Sequence, residues 1–286
     1  MQFINGLNIG SIYALIALGY TMVYGIAKLI NFAHGDIIMV GAYISLVCLN
    51  MGMPWWLACI ISIVLCALFG IVMEKLAYKP LRKASRISLL ITAIGISFLL
   101  ENLFQLIFTP NPQPYPGFIT MPALTLGSLT ISANYYITFI VSVTLMIVLT
   151  LFIKKTNMGK AMRAVSEDEG AARLMGINVD TTISMTFAIG SALAAIGGIL
   201  LCSAYPTLTP TTGAMPGIKA FVAAVLGGIG SVPGAFLGGI ILGILENLSK
   251  AYISSKLSDA IVFSVLIVVL LVKPTGILGK KIMEKV

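Results

Sequence analysis

The sequence predicts an all-α protein of the polytopic membrane type, a helix bundle with about nine apolar segments, and three observations carry that expectation. Hydrophobic residues make up 58% of the chain and charged residues 10%, against about 25% charged in soluble domains, and the mean hydropathy is +1.03. The apolar residues fall in runs close to the roughly 20 that a membrane-spanning helix needs. The basic residues stand at the ends of those runs, so the net charge of +8 reports topology and not a nucleic-acid surface.

In chain order, residues 3–27 carry no charge and no basic residue precedes them, which reads as a retained span and not a secretory signal. Gly6-x-x-x-Gly10 and Gly19 give that span small positions where another helix can come close. After Lys28, the hexapeptide Asn31-Phe32-Ala33-His34-Gly35-Asp36 is either a tight cytoplasmic turn or a helix break at membrane depth, ahead of a second run at 37–53. Pro54, Trp55 and Trp56 suit an interfacial belt opening a third span, 57–73. Lys75, Lys79, Arg82, Lys83 and Arg86 mark a cytoplasmic loop, and a fourth span, 87–108, holds Glu101, Asn102 and Gln105 in its far half. Residues 109–134, with five prolines and no charge, read as an extracytoplasmic loop.

Spans at 135–153 and 183–204 flank the longest hydrophilic stretch, a cytoplasmic loop at about 154–182. Five of the eighteen basic and three of the ten acidic residues lie between Lys154 and Arg173. Ser166 and Glu169 have the spacing of a capping box, Glu167 and Asp168 suit the positive end of a helix dipole, and Ala171, Ala172, Leu174 and Met175 continue the helix to a stop at Gly176. This short capped helix is either a docking element or an ordinary connector.

Beyond the prolines 206, 210 and 216, the runs 218–230 and 234–248 are shorter than a span. Eight glycines fall between Gly217 and Gly243, among them Gly227, Gly228 and the ladder Gly230, Gly234, Gly238. With Pro233 between the runs, this region reads as short or broken helices packed inside the protein, because irregular backbone cannot face lipid. A last run, 253–272, ends at Lys273 and Pro274.

Placing the loops after spans one, three and five and the C-terminal tail inside leaves only Lys219, Lys250 and Lys256 elsewhere. That count predicts an extracytoplasmic N-terminus and a cytoplasmic C-terminus. The four cysteines lie inside apolar runs without metal-ligand spacing, His34 is the single histidine, and no phosphate-binding glycine loop is present. No metal site and no catalytic set is expected. The ionisable groups at membrane depth, Asp36 and Glu101, are candidates for a transport path, together with Asn31, His34 and Asn102; Glu101 serves equally well as a hydrogen-bonding partner of a neighbouring helix. Glu246, near a span end, is expected at the interface.

Asn5-Gly6-Leu7 through Gly10-Ser11-Ile12-Tyr13-Ala14-Leu15, Gly19-Tyr20-Thr21-Met22-Val23-Tyr24-Gly25 and the hexapeptide at 31–36 resemble the H-type permease of branched-chain amino acid ABC importers. So do the segments 223–231 and 273–279. The resemblance covers both ends and the middle of the chain. It implies a single permease domain over 1–286 and a non-catalytic subunit that binds no cofactor. Its partners would be a related second permease, two cytoplasmic ATPases carrying ATP and Mg, and an extracytoplasmic solute-binding protein, in a prokaryotic inner membrane. ABC importer permeases dock on their ATPases through Glu-Ala-Ala, three residues, then Gly. Ala171, Ala172 and Gly176 match that pattern, whereas Gly170 stands at the Glu position and a later Ile-x-Leu-Pro is missing. Urea, amides or other small solutes fit the same pattern. A stand-alone proton-coupled carrier using Glu101, His34 and Asp36 is the reading from another class.

Overall fold

The computed structural model describes residues 1–279 apart from 30, 83, 120 and 127–128. Lys83, Lys280, Lys281 and Lys285 of the charge count lie outside the described residues. Eleven α-helices form the described fold. Six are long and apolar enough to cross a membrane, and three shorter apolar ones bring the segments to the nine expected.

Helix α1 (Gln2–Ala27) is the hub, buried around most of its circumference, as a helix apolar on every side must be. It runs antiparallel to α10 (Val232–Tyr252), and glycine sets their separation. A Cβ at Gly6 would stand 2.9 Å from the Ile244 Cα, and one at Gly10 would stand 2.9 Å from the Ile240 Cα. From the other side, Gly239 lies on Ala14 and Gly243 on Gly10. Without a hydrophobic driving force between helices in lipid, such backbone proximity supplies the dispersion contact that holds them. Gly234 and Gly238 face the opposite neighbour, α9 (Ala214–Gly227), resting on the Gly227 and Ala223 carbonyls. The glycine ladder is therefore packing surface.

The second segment, α2 (His34–Asn50), starts three residues before the expected run, because the His-Gly-Asp turn is itself helical. Helix α3 (Trp55–Met73) runs on as a π-turn, Glu74–Tyr78. Helix α4 (Arg86–Phe108) is capped by Ser85, which accepts from the Ser88 N–H at 3.2 Å. Helices α4 and α5 (Ala133–Lys155) are largely exposed, with Phe98, Leu99, Leu106 and Ile140 turned outward. The loop between them holds a hairpin, β2 (Leu124–Leu126) with β3 (Leu129–Ile131), and a two-residue strand, β1 (Gln113–Pro114), paired antiparallel with β4 (Thr207–Leu208).

Helices α6 (Asn157–Glu167) and α7 (Glu169–Leu174) fill the hydrophilic loop before α8 (Val179–Ala204). Near the C-terminus two expectations are corrected. The 234–248 run is not a short helix but part of full-length α10, and Pro233 starts that helix instead of breaking it. It occupies the first turn, where a missing N–H leaves nothing unpaired, and Ser231 caps the start by accepting from the Gly234 N–H at 3.2 Å. The last run gives its first five residues to a turn and becomes α11 (Ser258–Val272). The break itself falls at Gly228 and Gly230, with φ of 104° and 91°, backbone that side chains rarely adopt. The tail closes over it, Ile277 and Leu278 N–H groups donating to the Leu226 and Gly227 carbonyls, each at 2.9 Å.

Candidate functional site

Two regions carry the polar chemistry. The first is the break between α1 and α2. Lys28 ends α1 in a left-handed conformation, φ 55°, and the chain then turns back into the bundle. The His34 ring packs edge-on to Tyr20 with centroids 4.5 Å apart, over Gly19, where a Cβ would stand 2.5 Å from Nε2. The start of α2 is thus level with Gly19 and not with Ala27, about 12 Å along the helix axis at 1.5 Å per residue. Asn31, His34 and Asp36 are each no more than 2% exposed, which decides between the two sequence readings: the hexapeptide is a buried break and not a solvated turn.

Helix α9 meets it there, also by its first turn. A Cβ at Gly35 would lie 2.8 Å from the Gly213 carbonyl oxygen, and one at Gly217 would lie 2.6 Å from the Gly35 Cα. Two helix N-termini, each bearing a partial positive charge, therefore converge on one point, with Asp36 in the first turn of α2. Helix α2 also packs against α4, the helix that carries Glu101. Glu101 is half-buried, but Asn102 is exposed and spends its amide on its own helix, donating to the Phe98 carbonyl at 2.7 Å. The structure brings Asn31, His34, Asp36 and Glu101 toward one region and leaves Asn102 out of it.

The second region is the hydrophilic loop between α5 and α8. The capping box is corrected: Ser166 lies inside α6 and donates to the Arg163 carbonyl at 2.7 Å, while the cap of α7 is Asp168, accepting from the Ala171 N–H at 2.9 Å. Glu167 therefore ends α6, and Glu169 opens α7. The reason is an apolar stripe upstream, Met162 and Val165, which buries against the spans and holds the chain helical through Ser166. The stop at Gly176 is as expected. Its φ is 82°, its N–H donates to the Arg173 carbonyl and that of Ile177 to the Ala172 carbonyl, both at 3.0 Å, the paired bonds of a Schellman end. Ala172 is buried at 3%, whereas Leu174 and Met175 project at 90% and 82% exposure.

Sequence reasoning missed the ionic anchor of this loop. Asp180, in the first turn of α8, takes Lys79 at 2.8 Å, Arg82 at 2.7 Å and Arg173 at 3.8 Å. Arg82 also pairs with Glu74, which is fully buried and accepts from the Ser184 hydroxyl at 2.5 Å. An acid at the end of an apolar run with an arginine eight residues on was the available signal. Glu246, near the end of α10, is fully buried and takes Lys219 at 2.8 Å and Lys250 at 2.5 Å, while Lys219 also reaches Asp259 at 2.7 Å. Among the described residues no cluster of His, Cys, Asp and Glu has the geometry to hold a metal ion.

Comparison with known proteins adds the following. A family model described as the permease component of branched-chain amino acid transport systems matches residues 2–270. The high-affinity branched-chain amino acid transport permease LivH of Salmonella typhimurium is 44% identical, covering 100% of this chain and 97% of its own. BraD of Pseudomonas aeruginosa, with the same description, is 43% identical over the same shares. A probable LivH of Methanocaldococcus jannaschii is 30% identical over 94% and 89% of the two chains. Among solved structures, PsaBC from Streptococcus pneumoniae in complex with Fab superposes with a TM-score of 0.50 at 14% identity, covering 95% and 91%, a likeness of fold alone.

Proposed function

This chain belongs to the branched-chain amino acid transport permease family, and from that premise we infer that it is the membrane subunit of an ATP-driven importer that carries branched-chain amino acids into the cytoplasm. Catalysis lies elsewhere in the assembly: partner ATPases hold ATP and Mg, a related second permease completes the membrane core, and an extracytoplasmic binding protein delivers the solute. The whole chain acts as one permease domain, with its N-terminus outside and its C-terminus in the cytoplasm.

The observation that carries the reading is the tip of α7. Two large apolar side chains, Leu174 and Met175, stand almost free of the protein, on a helix fixed at one end by the Asp168 cap and at the other by the Gly176 stop. Exposed apolar groups held this rigidly suit a protein partner, and a cytoplasmic position makes that partner the ATPase. The buried break at Asn31, His34 and Asp36, where α2 and α9 meet, is the part of the membrane domain best suited to re-aim when the ATPases close. Two helix N-termini would favour a solute carboxylate and Asp36 its ammonium group.

The test is reconstitution in liposomes. Uptake of leucine, isoleucine or valine should require this chain, its partner permease, both ATPases, ATP inside and the binding protein outside. Uptake by this chain alone would instead make it a carrier, and transport of urea or amides in preference to leucine would change the substrate class.

A further inference from the structure

We propose that the π-turn Glu74–Tyr78 is the element that carries movement of α7 to the buried break, and that Tyr78 is its positioning residue. The inference rests on the reading of α7 as the ATPase contact and adds the route inward. Arg173, in the last turn of α7, lies 3.8 Å from Asp180. Asp180 shares Arg82 with Glu74, and Glu74 is also held by Ser184 of α8. A buried carboxylate separated from its cation is strongly unfavourable, so Asp180, Arg82 and Glu74 are expected to shift together.

Glu74 opens the π-turn, whose wide ring closes between the Lys79 N–H and the Glu74 carbonyl at 2.8 Å. A π-turn places one extra residue in a helix and can pass it along the ladder, which is why such turns mark functional positions. At its far end the Tyr78 ring is fully buried against Phe187, centroids 5.2 Å apart. Its hydroxyl donates to Asn31 Oδ1 at 2.8 Å. The Asn31 carbonyl in turn accepts from the His34 N–H at 3.2 Å, at the first residue of α2. The Asn31 Nδ2 group is buried without a partner among the described residues, and Asn31 borders a small cavity with Tyr20, Tyr24, Phe221 and Ile229. A second arrangement of the break that satisfies this donor gives the two states that coupling requires.

The test uses the complete importer in liposomes with Tyr78→Phe, which removes the hydroxyl and keeps the ring, together with Asn31→Ala and the double variant. Solute moved per ATP should fall about fivefold in each single variant, the scale of one lost buried hydrogen bond, and no further in the double variant. A merely structural role would lower the amount of complex and both rates together, leaving the ratio unchanged, and that result overturns the proposal. Leu174→Cys, carrying a photoactivatable maleimide, tests the premise separately. A crosslink to the ATPase with an unchanged ratio in Tyr78→Phe removes this inference and keeps the docking reading, while no crosslink removes both.

Discussion

Lys219 and Glu246, 27 residues apart in the chain, meet at 2.8 Å inside the bundle, with Glu246 fully buried. Replacing the carboxylate leaves two cations facing each other, Lys219 and Lys250, with only the partly exposed Asp259 to answer Lys219 at 2.7 Å. Glu246→Ala should therefore destabilise the purified chain in detergent by about 2–3 kcal/mol, below the scale for a fully orphaned buried pair. Lys219→Met should cost clearly less, because Lys250 still answers Glu246 at 2.5 Å. Thermal unfolding of the two variants gives the order, and equal losses would refute it.

The α1–α10 contact predicts a contrast between glycines. At Gly10 an added Cβ meets the Ile240 backbone, Cα and O both at 2.9 Å, which cannot move aside as a side chain would. Gly10→Ala should cost about 1–3 kcal/mol. Gly95, on α4, has nothing within 4 Å of the same added atom, and Gly95→Ala should be neutral or stabilising by up to about 1 kcal/mol. Detergent melting curves that move alike for both variants would remove the argument.

Breaking α7 separates insertion from coupling. Ala172 donates its N–H to the Asp168 carbonyl at 3.0 Å, so Ala172→Pro deletes that bond, at a cost of about 3 kcal/mol in a helix interior. Membrane levels should stay normal, while uptake is lost and ATP hydrolysis no longer responds to the loaded binding protein. Coupled uptake in this variant would exclude α7 as the contact.

At the break, Asp36→Asn keeps the shape of the side chain and removes its charge, and His34→Ala empties the space over Gly19. A surface turn would tolerate both within about 0.5 kcal/mol. Buried as these groups are, each variant should lower leucine uptake several-fold at undiminished expression. Near-normal uptake by both would take the transport path away from this point.

Orientation is tested with one cysteine on each side, in a background lacking Cys48, Cys59, Cys66 and Cys202. Thr125→Cys in β2 and Leu174→Cys at the tip of α7 are both exposed. An impermeant thiol reagent should reach the first from outside and the second only in inverted vesicles. Labelling of both from one side would overturn the topology.

What the sequence disclosed follows from the range of each interaction. Spans announce themselves in contiguous apolar runs, and Gly6 and Gly10 show their purpose through spacing along a single helix. The polar cluster at 31–36 was legible because Asn, His and Asp stand close together beside an apolar run, but its choice between turn and buried break was not, because that depends on burial by α1 and α9. Caps were half legible: Ser166 and Asp168 are both good cap residues, and burial of Met162 and Val165, a tertiary effect, chose between them. Partners far apart in sequence were not legible. Tyr78 and Asn31 are 47 residues apart, and Arg82 and Asp180 are 98 apart; each residue alone reads as an ordinary aromatic or a loop charge. The same distance hid Lys219 from Glu246.

The tail bonds at Ile277 and Leu278 also set an order of assembly. The carbonyls of Leu226 and Gly227 that they cover are synthesised about fifty residues earlier, and both α10 and α11 stand between them and the tail in the chain. Until the tail arrives, α9 ends in bare acceptors beside glycines of high conformational freedom, a poor substrate for stable insertion. Closure of residues 273–279 over α9 can therefore come only after α10 and α11 have been made.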